Sequence, residues 1–131
     1  MAELVKKSKD KFYRGKNVVE LKDVDIREFA KLVKARARRT LLRNYDVVDA
    51  FVKKCEVCEA KKKLIKTHDR ALVIVPRLVG LTIGVHNGKE FVKVIISEEM
   101  LGHRLGEFAL TRKIAKHTSV GTKKVVVKKN D

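Results

Sequence analysis

The chain has no tryptophan, one proline, two cysteines and seven aromatic residues in all among its 131 positions. Each shortage excludes something. Two cysteines cannot build the disulfide framework of a small secreted domain, so a toxin or growth factor is ruled out. No apolar run is longer than the five residues 71–75, too short for a membrane span or a signal-peptide core. The first residues, Met-Ala-Glu-Leu-Val-Lys-Lys, are charged from the third position. Together these features read as an uncleaved protein of the cytoplasm with no membrane partner. So few aromatics argue against a stacking platform for single strands and for recognition of a folded nucleic acid by backbone and shape. Catalytic patterns are lacking too: there is no paired-carboxylate cluster, no nucleophile with a base at a recognisable spacing and no phosphate-cradling glycine loop. His68 beside Asp69, and His103 four residues before Glu107, suit hydrogen bonding to phosphate or ribose better than acid–base chemistry. The sequence therefore reads as a binding protein without a cofactor, not an enzyme.

Positive charge is abundant. Thirty-two Lys+Arg stand against 16 Asp+Glu, a net +16, which calls for a polyanionic partner. The excess is uneven: residues 1–70 carry +10, residues 71–111 are neutral and residues 112–131 carry +6. A surface charged only for solubility would be more uniform. Residues 31–43 hold six cations and no acid, and like charges at that density ask for a counter-anion.

Hydrophobic periodicity sets the expected elements. Residues 1–18 read as a polar, extended segment lying on a partner. A helix begins at Asp25, which has capping-box spacing to Glu28, with Ile26, Phe29, Ala30 and Val33 at helical intervals. The basic run 34–39 continues it or starts a second one. A helix over about 46–60 is marked by a stripe of Val47, Val48, Phe51, Val52 and Cys55. Residues 71–75 read as a strand closed by Pro76. Residues 81–86 and 90–96 read as a hairpin around a two-residue Asn87-Gly88 turn, which sets His86 opposite Lys89 and Ile83 opposite Val92. Leu81, Ile83, Val92, Val94 and Ile96 then form the core face, and Thr82, His86, Lys89 and Lys93 a basic face. Phe91 covers Gly84, and Ser97 opens a short helix with Met100, Leu101 and Leu105. The predicted fold is α+β: a small three-stranded sheet with a hairpin and a short helix. The predicted domains are a basic, mainly helical N-terminal extension (1–65), a compact core (66–111) and a basic tail (112–131).

Cys55 and Cys58 supply half of a zinc site, with His68 as a third candidate ligand and no obvious fourth. Cys55 lies on the apolar stripe, which favours a packed thiol. Two readings follow: a zinc-dependent module on this pair, or a free-standing basic nucleic-acid binder using residues 31–43.

Residues 87–108 are more specific. Asn87-Gly88-Lys89, then Ile96, then Leu101-Gly102-His103-Arg104-Leu105-Gly106-Glu107-Phe108, resemble the signature of the small-subunit ribosomal protein S-nineteen family, called S-fifteen in eukaryotes. Val75-Pro76, Val79-Gly80 and Thr82-Ile-Gly-Val-His-Asn-Gly-Lys-Glu-Phe91 resemble its strand and hairpin core, and the match is dense over 66–117. Phe12-Tyr13-Arg14-Gly15-Lys16, Ala35-Arg36-Ala37-Arg38-Arg39-Thr40-Leu41 and Lys66-Thr67-His68 with Arg70 are similar to the extension of its archaeal and eukaryotic branch. The resemblance implies binding to the 3′ domain of small-subunit rRNA on the subunit head, contact with an S-thirteen-type neighbour, proximity to the large-subunit bridge, and a tail reaching toward tRNA. Its RNA contacts carry over to Asn87, Gly88, Lys89, His103, Arg104, Thr111, Arg112, Lys116 and His117. The basic run adds Arg36, Arg38 and Arg39, the branch motif adds Arg70, and the hairpin's basic face adds Lys93. Three departures stand out, the first being that Cys55 and Cys58 belong to no motif of the family. Arg77 replaces the family's usual acid, and the tail after His117 lacks the branch's small-residue, Gly-rich segment.

Overall fold

A computed structural model describes residues 11–115 of the chain. It begins with a small hairpin, β1 (Phe12–Tyr13) and β2 (Lys16–Asn17), joined through Arg14 and Gly15. Both turn residues have positive φ, 49° and 81°, as a type I′ turn requires. Residues 12–17 thus fold back on the body instead of lying extended. Tyr13 packs on Phe29 with ring centroids 5.9 Å apart.

Four helices follow, α1 (Val18–Asp23), α2 (Ile26–Leu32), α3 (Ala35–Arg43) and α4 (Tyr45–Ala60). Asn17 caps α1 by accepting from the Val19 amide, and Asp25 caps α2 by accepting from the Ile26 amide. The basic run is a helix of its own, α3, separated from α2 at Val33 and Lys34. In α4, Val48, Phe51, Val52 and Cys55 are buried at i, i+3, i+4 and i+7. Val47, expected on that stripe, faces solvent.

The three-stranded sheet is present, but its third strand is not the predicted one. Its order is β3 (Ile65–Thr67), β4 (Thr82–His86) and β5 (Phe91–Ile95), with β3 parallel to β4 and β5 antiparallel to it. Of residues 71–75, Ala71 is an exposed turn residue and 72–75 run buried beside the segment 102–105 instead. The Ile74 amide donates to the His103 carbonyl, the Gly102 amide to that of Ile74 and the Leu105 amide to that of Leu72, with one bridge between Val73 and Arg104. Their backbone groups are satisfied by an irregular partner, so a sheet is not needed.

The hairpin register also differs. His86 pairs with Phe91 and Ile83 with Val94, around a loop over 87–90. Asn87 Oδ1 accepts from the amides of Lys89 (3.0 Å) and Glu90 (2.9 Å), and this bracket favours the longer loop. The shift is two residues, so the strand side chains keep their expected faces, while Lys89, expected opposite His86, falls in the loop. Phe91 does cover Gly84: a Cβ built there would lie 3.5 Å from the Phe91 Cβ. In place of one short helix after Ser97 there are two 3₁₀ turns, Glu98–Met100 and Leu105–Phe108. They are broken at Gly102, whose φ is +78°.

One hydrophobic cluster joins the helices to the sheet. It runs from Val18, Phe29 and Leu41 through Val52 and Cys55 to Ile74, Ile83, Val94, Leu105 and Ala109. Each large side chain fully buried there contributes roughly 1.5–3 kcal/mol. The helices and the hairpin therefore stabilise each other across a shared interior, and α3 is held rigidly at the surface of that body.

Candidate nucleic-acid interface

The helical period sets Arg36, Arg39, Thr40 and Arg43 on one side of α3, while Leu41 is buried and Ala37 packs against the core. That basic side faces the segment carrying Arg104. The Arg104 guanidinium donates to Thr40 Oγ1 at 3.2 Å, and the Thr40 hydroxyl in turn donates to the Arg36 carbonyl at 3.1 Å. Between the two walls lies a groove of about 570 Å³ lined by Arg36, Arg39, Thr40, Arg43, Asn44 and Arg104. A second hollow of about 360 Å³ continues it past Arg36 and Arg104 and reaches Arg14, Lys34 and His103. Gly102 belongs to this wall for a steric reason besides its φ, since a Cβ there would sit 2.9 Å from the Tyr13 hydroxyl oxygen.

The groove beside α3 has no carboxylate among its lining residues, whereas Glu99 and Glu107 line the adjoining hollow. Among the described residues the ion pairs are Lys11–Glu98, Lys53–Asp49 and His103–Glu107, and no arginine takes part in one. The Lys11 ammonium at 2.8 Å holds the Glu98 carboxyl below the usual range, chiefly through their hydrogen bond. Glu107 accepts from or shares a proton with His103 Nδ1 at 2.9 Å. Row-like guanidinium groups with no carboxylate opposite suit phosphate oxygens, which accept bidentate bonds in the same geometry.

Two expected contact residues, exposed Arg38 and half-buried Arg70, also donate to backbone carbonyls of the fold. Arg38 donates to the carbonyls of Ala30 and Lys31, both at 3.1 Å, closing the C-terminal end of α2. Arg70 donates to the carbonyls of His86 and Gly106, both at 2.7 Å, and to that of Ala109. It clamps the end of β4 to the last 3₁₀ turn. Gly106 makes room for it: a Cβ would meet the Arg70 Cβ at 2.9 Å and its carbonyl oxygen at 3.0 Å.

The remaining candidates form a second patch. Asn87, Gly88 and Lys89 make up the hairpin loop, with Gly88 at φ +97°, and Lys93 lies exposed on β5 beside Gly84. Thr111 and Arg112 are exposed in the irregular chain beyond the last turn. Lys116 and His117 lie outside the described residues. Arg14, Lys34 and Arg43 were not named individually as contacts, although the last two belong to the basic run 31–43. Arg43 sits one helical turn from Arg39, a signal that the spacing does contain.

Cys55 is fully buried, and burial pushes its thiol up to about 12; Cys58 is half-buried on the same helix. Its side chain packs in the hydrophobic cluster between the helices and the sheet. Among the described residues no three His, Cys, Asp or Glu side chains gather as a metal-holding group.

No helix of the described residues is long and apolar enough to cross a membrane. The family model of Ribosomal protein S19 matches residues 8–117, a span that takes in α3, the hairpin and the segment bearing His103 and Arg104. With that match over most of its length, the chain belongs to the ribosomal protein S19 family, the RNA-binding structural constituents of the small ribosomal subunit.

Proposed function

We propose that the chain fastens small-subunit rRNA through two basic patches that the fold holds at a fixed separation. In the first, Arg36, Arg39 and Arg104, with His103 at its rim, neutralise phosphates along the α3 groove. In the second, Asn87, Gly88, Lys89 and Lys93 meet a neighbouring stretch of backbone. Thr111, Arg112, Lys116 and His117 continue the contact beyond the body. Arg38 and Arg70 act by holding these groups in place. The role is architectural and electrostatic: counterion release supplies affinity, and the rigid body sets the angle between the RNA elements it joins.

The observation that carries this reading is the row of arginines facing Arg104 with no carboxylate partner. The motif resemblance supports the finer assignments: the 3′ domain of the rRNA, the subunit head, an S-thirteen-type neighbour, the bridge to the large subunit, and the archaeal and eukaryotic branch. The tail's reach toward tRNA belongs to the same reading, as does a place in the cytoplasmic ribosome.

The test is a sucrose-gradient profile of lysate, probed for this chain with and without RNase. Co-migration with small subunits that survives ~0.5 M salt and disappears with RNase is expected, because loose electrostatic binding is largely lost at that ionic strength. Migration at the top of the gradient overturns the reading.

A further inference from the structure

The outer face of the three-stranded sheet gathers groups that no part of the groove uses. The registers set Lys66, Gly84 and Lys93 in one row across β3, β4 and β5. The next row holds His68, just beyond β3, with His86 and Phe91. His68 thus meets the two rings, His86 and Phe91, that close the hairpin. The His68 and His86 centroids are 4.4 Å apart with the planes tilted by 36°, and the Phe91 ring stands edge-on to both, 5.1 Å from His68 and 4.9 Å from His86. The Lys66 ammonium lies 5.2 Å from the Phe91 centroid.

The cluster is pre-set from below. His86 Nδ1 accepts from the Gly88 amide at 3.0 Å, which fixes that ring and leaves the proton of the neutral imidazole on Nε2. Gly84 has no side chain to push the others apart. A Cβ there would come within 3.4 Å of the Ile65 carbonyl oxygen, 3.5 Å of the Phe91 Cβ and 3.6 Å of the Lys66 Cγ. His86 and Phe91 are half-buried, whereas His68 is exposed. The His68 ring rests against His86 and meets Phe91 edge-on, and the residue as a whole stays exposed to solvent.

We propose that the outer face of His68 is a stacking site for one unpaired nucleobase, with Lys66 and Lys93 flanking it for the adjoining phosphates. This deepens the RNA-binding reading above and rests on it. A ring held against a second ring loses little freedom when a third joins the stack, so the site is pre-organised. The base must present an open face, which folded RNA offers at bulges, loops and helix ends. Composition argues against an extended platform for single strands, yet one nucleotide needs only this one face.

The missing tryptophan makes the test direct, since any introduced indole is the chain's sole one. The full chain and its His68→Ala and His68→Trp variants are titrated with a small-subunit rRNA transcript across a salt series. Far-UV circular dichroism is recorded for each. His68→Ala is expected to weaken binding about tenfold with an unchanged salt slope, because a stacked base is lost and no phosphate contact is. His68→Trp is expected to keep wild-type affinity, and its emission to be quenched in the complex. Wild-type affinity for His68→Ala, or unquenched emission from a bound His68→Trp, overturns the proposal. So does a salt slope lowered by about one in His68→Ala, which marks an imidazolium–phosphate contact. If His68→Ala leaves RNA binding intact but releases the chain from small subunits, the face docks a protein and the proposal also fails. Arg36→Glu with Arg39→Glu, run in parallel, separates the two readings. Loss there beside a neutral His68→Ala leaves the groove standing and removes the stacking site, whereas wild-type affinity there removes the groove whatever His68 does.

Discussion

The Arg70 guanidinium reaches the Gly106 carbonyl at 2.7 Å across 36 residues of sequence, and the same group also holds the His86 carbonyl at the end of β4. One side chain therefore sets the position of the hairpin loop relative to the wall of the α3 groove. Arg70→Met leaves these carbonyls without their charged donor and is expected to lower stability by about 3 kcal/mol, read as a reduced urea midpoint. Arg70→Lys recovers little, since a single ammonium cannot fan out to three carbonyls.

Gly106→Ala approaches the same clamp from the other side. Its Cβ would meet Arg70 at 2.9–3.0 Å. The overpacking is expected to cost about 1–3 kcal/mol in the same urea titration. Gly15→Ala has open space around it but sits at φ +81°, so its smaller cost of about 1–2 kcal/mol comes from backbone strain alone.

The groove makes a prediction about slope as well as affinity. Arg36→Glu with Arg39→Glu should leave the melting temperature nearly unchanged, because both side chains are exposed. The logarithmic salt dependence of rRNA binding should fall by about two phosphate equivalents. Filter binding at several salt concentrations measures both quantities.

At the hairpin, Lys89→Glu with Lys93→Glu is expected to weaken rRNA binding and leave the isolated fold intact. Both lysines are exposed, and the loop is held by Asn87 Oδ1 and His86 Nδ1, which the substitutions do not touch. Unchanged affinity across a salt series would remove this patch from the interface.

The cysteines should separate chemically. At pH 8 iodoacetamide is expected to modify Cys58 and spare Cys55, whose thiol is pushed up to about 12 by burial. In guanidinium chloride both should react. The raised value also carries a sign for stability. A thiol that ionises near 8.5 when unfolded favours the folded state fully below that pH. The contribution declines as pH rises toward 12. Mass spectrometry reads the first effect. Urea midpoints of wild type and Cys55→Ala between pH 8 and 11 read the second, with the variant expected to lose less.

Long, periodic elements were legible in the sequence. The α4 stripe, the hairpin with its two faces, and Phe91 over Gly84 all follow from spacing. Val47 was misplaced because it lies about 100° round the helix from Val48, outside the arc spanned by Phe51, Cys55, Val48 and Val52. β3 was missed since three residues are too few to show alternation, and each of its parallel partners lies eighteen residues further on. The run 71–75 has the composition of a strand, but its hydrogen bonds go to an irregular segment that no local pattern announces. For the candidate site, charge density located α3, and the motif located His103 and Arg104. Neither shows which guanidinium groups are engaged internally, because Arg38 and Arg70 look in sequence like their neighbours Arg36 and Arg39. The ring cluster was hidden for the same reason: residues 68, 86 and 91 meet only through the sheet register.

The unpaired arginines along α3 have an effect before any RNA arrives. With a net charge of +16 and no carboxylates opposite them, the cations of the free chain repel one another, and dissolved ions relieve that repulsion. Salt therefore pulls in opposite directions on the two states, easing tension within the free molecule while loosening its hold on RNA. At low ionic strength the chain alone is at its most strained and its complex at its tightest. The gap between unbound and assembled forms is widest there, so the molecule is shaped for a life in which it is rarely alone.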